Sequence, residues 1–177
     1  VNRQLRRLAA KGKQPEWMKF LSDTPESPVN IALRNATKLT APEIDHYIVP
    51  SRRAVEAFRV GRGNFKDWLR LCTLVNVGMA IEDGGVVKGF RNDLQAALQA
   101  LEEIGTRQDS PKGWKPGALH ASELEAIRML VVAHDFQLRQ LSYGEHQEAY
   151  RLATARVKCD GGEVINLKNI QTIEQIA

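Results

Sequence analysis

Within "MLVVAHDFQLRQL", residues 129–141, an imidazole and a carboxylate stand side by side as His134 and Asp135. Such a pair, with another His upstream and another Asp downstream, is the donor set of an HD-type metal-dependent hydrolase. A hard divalent ion takes imidazole and carboxylate together. The flanking candidates here are His120 and Asp160. His120 stands only 14 residues upstream, at the head of the same helical pattern, and Asp160 opens a DGG turn that wants aspartate for local geometry. His134 also falls on an apolar stripe, while Asp135 lies about 100° around the helix. The spacing predicts a core histidine with one hydrogen-bond partner. No metal ligand is assigned.

The remaining nucleophiles and ligands give no reaction either. His146 is placed to meet His134 across a bundle, and Glu125 or Glu145 could then complete a zinc site. The repeated ExxH of di-metal bundles is missing, so a polar core pair is expected. His46, beside Asp45 near a kink, reads as exposed. Cys72 and Cys159 have no CxxC partner and no context that would lower a thiol pKa, so no disulfide framework follows, and Cys72 reads as a small core residue. There is no G-x-S-x-G elbow, and "GRGNF" at 61–65 reads as a helix stop followed by a cap. The expectation is a protein that is not an enzyme and needs no cofactor.

Charge points to binding. Residues 1–19 hold six basic side chains against Glu16, a balance of +5, and the other 158 residues carry 19 basic and 20 acidic groups, a balance of −1. A basic arm on a nearly neutral body is a footprint of polyanion contact. Arg3, Arg6, Arg7, Lys11 and Lys13 are therefore the expected nucleic-acid contacts. Two apolar features suit a protein partner. Trp17 and Phe20 form a knob just after the arm. Trp114 sits between Lys112 and Lys115 in "KGWKPG", where an exposed indole beside cations can anchor an interface. A Trp folded back over the core is the alternative.

These residues must be held by helices. Leu124, Ile127, Val131, His134, Leu138 and Leu141 recur at steps of 3 and 4. The same steps run through Phe65, Trp68, Cys72, Val75 and Met79; through Val87, Phe90, Leu94, Ala97, Leu101 and Ile104; and through Tyr143, His146, Tyr150, Ala153 and Val157. Each set occupies one helical face. Thr40 with Glu43, Ser122 with Glu125 and Ser142 with Glu145 match the capping box, and Asn64 is a further N-cap. Gly84-Gly85 stops one helix before the next, and Pro50 is expected to break the pattern of residues 43–60.

The fold class read from this is all-α: a single bundle of five to six helices. Residues 1–21 form the basic arm, 22–41 a linker, 42–158 the bundle and 159–177 a short C-terminal extension. Met129, Val132 and Phe136 give the 122–141 helix a second apolar face, for a monomer core or a homodimer; burial at the centre of the monomer is the expectation. No run approaches a membrane span, and "VNRQLRRLAAKGK" lacks the apolar region of a secretory signal. The cytoplasm of a bacterial host is the expected compartment.

"LTAPEIDHYIVPSRRAVEAFRVG", "WLRLCTLVNVGMAIEDGGV" and "ELEAIRMLVVAHDFQLRQLSYGEHQEAYRLATARV" together resemble small helical accessory proteins encoded by proteobacterial phages and plasmids. The resemblance covers roughly residues 39–158. It implies a mobile-element origin and a host-facing role, and it carries no active site. The expected function is that of an accessory protein, its arm on nucleic acid or a nucleoprotein assembly and its helical body on a host or phage protein. Inhibition of a host complex such as a defence system is the alternative, and the HD hydrolase stands behind both.

Overall fold

The computed structural model describes residues 27–111 and 113–159. Six α-helices occur among them, and no strand beyond an isolated bridge between Lys38 and Ser142. The chain divides into two units at Arg34/Asn35. Of the first, residues 27–34 are described, and they open α1 (Pro28–Ala36). The expected linker 22–41 therefore contains a helix. Proline at its first position has φ already set for helix and has no N–H to leave unpaired.

The second unit is a bundle of α2 (Ala41–Arg59), α3 (Phe65–Gly84), α4 (Arg91–Gln108), α5 (Ala121–Gln140) and α6 (Tyr143–Cys159). Helix α3 packs against α2, α4, α5 and α6, and α5 packs against α2, α3 and α4. Two central helices flanked by amphipathic ones follow from the sequence pattern. α3 buries Leu71, Leu74, Val75, Val77, Ala80 and Ile81, while α4 presents Leu94, Ala97, Leu101 and Ile104. The segment before α2 is pinned to the α5–α6 junction: Leu39 N–H donates to the Leu141 carbonyl and Tyr143 N–H to that of Thr37.

Helix ends follow the expected chemistry in three places of four. Glu43 accepts from Thr40 N–H and Oγ1, and Glu145 accepts from Ser142 N–H and Oγ. Asn64 Oδ1 accepts from Lys66 and Asp67 N–H. The fourth box is displaced. Helix α5 starts at Ala121, and its cap is His120, whose N–H donates to Glu123 at 2.7 Å. Arg107 on α4 holds the same carboxylate through two hydrogen bonds of 2.8 and 2.7 Å. A charge-assisted pair between the exposed Arg107 and the buried Glu123 carboxylate thus chooses Glu123 over Glu125. Burial pushes the Glu123 carboxyl up, but the Arg107 and His120 hydrogen bonds outweigh it and hold the group below its ordinary value.

Pro50 does not break its helix; α2 runs through it. Ile44, Ile48, Ser51, Ala54, Val55 and Phe58 form one continuous buried face, and Ser51 Oγ donates to the Tyr47 carbonyl at 2.7 Å. His46, whose carbonyl would have received the missing N–H, is exposed and can be solvated. After α3, Gly85 takes the left-handed cap with φ of 78°, as Gly84-Gly85 suggests. The next helix begins at Arg91, later than the apolar spacing implies. Val87 is buried in the intervening turn. The buried Glu82 accepts from Gly89 and Phe90 N–H at 2.9 and 3.2 Å, which fixes the turn and delays the helix.

Candidate functional site

Two places in the bundle carry concentrated polar or aromatic chemistry: a histidine at its centre and an aromatic cleft at one edge. His134 is 1% exposed. Its Nδ1 lies 3.3 Å from Gln137 Oε1, and Gln137 Nε2 donates to the Gly78 carbonyl at 3.2 Å. Burial drives the imidazole pKa down to about 4, with the Gln137 hydrogen bond opposing the shift and nearby His146 adding to it. The ring is neutral at neutral pH. His146 is also buried and packs on Tyr47 with ring centroids 4.9 Å apart. Burial likewise lowers its pKa, and its Nδ1 takes no protein partner among the described residues.

Asp135 points elsewhere. Its carboxylate receives Arg52 from α2 and Arg139 from its own helix, both at 2.9 Å. The His-Asp pair is thus divided between core and surface ion pairs. Among the described residues no group of three or more His, Cys, Asp or Glu side chains is arranged to hold a metal. His46 is exposed.

The edge cleft is built on the N-terminal end of α3, the C-terminal end of α4 and the loop before α5. It measures about 410 Å³ and is lined by Phe65, Trp68, Glu102, Gly105, Thr106, Asp109 and Trp114. The three rings touch in a closed set, with centroid separations of 5.5 Å for Phe65–Trp68 and 5.7 Å for each with Trp114. Both indole N–H groups are used internally. Trp68 donates to the Leu101 carbonyl at 2.8 Å and Trp114 to that of Gly63 at 2.9 Å. Gly105 makes the first of these possible, because a Cβ there would stand 2.9 Å from the Trp68 ring. With their polar ends tied down, the rings are held in place and contribute apolar surface to the cleft.

The lining is acidic. Glu102 and Asp109 are exposed and take no ion-pair partner among the described residues. Cys72, below the cleft, has its thiol pushed up to about 12, first by burial and then by the charge of Glu102. Fixed aromatic rings beside exposed carboxylates suit a cationic side chain better than a nucleobase on a phosphate chain. Lys115 is exposed at the edge of the same loop, with its N–H held by the Gln108 carbonyl.

Of the residues singled out from the sequence, Trp114 lies in this cleft, half-buried and tied to the body. Arg3, Arg6, Arg7, Lys11, Lys13, Trp17, Phe20 and Lys112 lie outside the described residues. Phe65, Trp68, Glu102 and Asp109 were not expected to meet Trp114. The signal for Trp68 was its place at the head of an apolar stripe, which reads equally well as core. No family model, no curated protein and no solved structure matches the chain.

Proposed function

We propose that this chain is a non-catalytic binding protein with two working ends: a basic segment that contacts nucleic acid and a helical body that holds a protein. One observation carries the first part. All of the positive excess lies in residues 1–19, and the remaining chain is balanced to within one charge. A segment of that kind binds phosphate by releasing counterions, with little dependence on base sequence.

The body's end is the cleft of Phe65, Trp68 and Trp114. Its carboxylates select a partner that offers an arginine or lysine side chain, which lies on the aromatic faces while Glu102 or Asp109 meets its charge. A mobile-element accessory protein that brings a host or phage protein to nucleic acid would use both ends at once. The deciding experiment is a gel-shift titration of a labelled duplex with the full chain and with Arg3, Arg6, Arg7, Lys11 and Lys13 all changed to Gln. The reading requires binding by the first protein and loss of it in the second. Equal binding by both would refute it.

A further inference from the structure

We infer that α5 is the contact of a two-fold dimer, with a second copy of this chain lying antiparallel across Met129, Val132 and Phe136. These three residues were expected inside the monomer, and the structure places them outside. They are 36%, 60% and 48% exposed, whereas Ile127, Leu130, Val131 and Leu138 of the same helix are buried. Phe90 extends the patch, its ring centroid 5.4 Å from that of Phe136. An apolar strip along the solvent face of a central helix calls for an occupant.

The charges at its ends say which occupant. Glu125, Met129, Val132, Phe136 and Arg139 follow one another at steps of 4, 3, 4 and 3, so they share a face. At the N-terminal end the Glu125 side chain is 64% exposed and reaches Arg128 only at 3.8 Å. At the other end Arg52 and Arg139 share the single carboxylate of Asp135, which leaves one positive charge in excess. Their side chains are 62% and 56% exposed.

Val132 lies midway between Glu125 and Arg139, seven residues from each, or about 10 Å along the helix. A two-fold axis through Val132 therefore sets Glu125 of each copy against Arg139 and Arg52 of the other. The same axis brings Met129 beside Phe136. A parallel pairing would instead oppose Glu125 to Glu125 and Arg139 to Arg139. Antiparallel packing also opposes the helix dipoles. The face is thus complementary to itself, as an isologous interface requires. The patch is small, so the dimer is expected in the micromolar range.

Sedimentation velocity of the full chain across a wide concentration range tests this. The wild type should pass from monomer to dimer. Val132→Glu, at an exposed position that leaves the core untouched, should raise the dissociation constant at least tenfold. Glu125→Arg should weaken the dimer severalfold, and adding Arg139→Glu to it should recover most of the loss. Circular dichroism confirms that each variant is folded. A wild type that stays monomeric at hundreds of micromolar, or a dimer indifferent to Val132→Glu, would overturn the inference. A double variant no tighter than Glu125→Arg would overturn the antiparallel register.

Discussion

Replacing Gly78 with alanine sets two opposed effects against each other, and the structure decides between them. Gly78 lies inside α3, where alanine is favoured over glycine by about 1 kcal/mol. It is also where α3 passes close to α4 and α5. A Cβ there would stand 2.9 Å from Leu94 Cδ2 and 3.3 Å from Gln137 Oε1. Leu94 is fully buried, so its methyl can give way only by displacing other core atoms. Overpacking of this kind costs about 1–3 kcal/mol. Pushing Gln137 away also strains its bonds to the Gly78 carbonyl and His134, a loss of about 1 kcal/mol. The net expectation for Gly78→Ala is destabilisation by about 1–3 kcal/mol, a fall in Tm of about 3–9 °C. Gly84 is the control, since nothing lies within 4 Å of a Cβ built there. Gly84→Ala should leave stability unchanged or raise it by about 0.5 kcal/mol. Urea titrations followed by far-UV circular dichroism measure both. A Gly78→Ala protein as stable as the wild type would refute the packing argument at this crossing.

Other outcomes follow from the buried titratable groups. Burial holds His134 at a pKa of about 4 against an ordinary 6.5, so the unfolded chain binds this proton first as pH falls. The His134 contribution to stability should thus be complete above pH 6.5 and drain away between there and about pH 4. The slope is at most roughly 1.4 kcal/mol per pH unit for this group. His134→Gln, if folded, should flatten the stability profile across that window in urea titrations at successive pH values. Cys72, with its thiol pushed up to about 12, should resist a thiol reagent in the native protein, while the exposed Cys159 reacts at once. Absorbance of the released chromophore should report one fast thiol and a second only after denaturation.

Much of this fold is legible in spacing. The 3-4 steps around His134 place it in the core and put Asp135 to one side, because helical geometry is local. Three of four caps are legible for the same reason. Misreadings arise where a distant group decides. Pro50 sits inside α2 because a continuous buried face holds the helix together on both sides of it. Helix α5 begins before Ser122 because Arg107, from another helix, claims Glu123. Glu82 delays α4 by occupying the N–H groups of Gly89 and Phe90. The second apolar face of α5 is also plain in the sequence, but spacing does not say what covers a face. Likewise, Trp68 and Trp114 are far apart in the chain, and their meeting depends on Gly105 letting one ring approach.

The central claim is that residues 1–19 bind nucleic acid through phosphate contacts, and the salt dependence of binding tests it most directly. Fluorescence anisotropy of a labelled duplex, titrated with the full chain at several salt concentrations, gives the slope of log K against log[salt]. Each neutralised phosphate contributes about −0.9, so five contacts predict a slope of about −4.5. Changing Arg3, Arg6, Arg7, Lys11 and Lys13 to Gln should bring it close to zero. A shallow slope in the wild type, or the same slope in both proteins, would contradict the account.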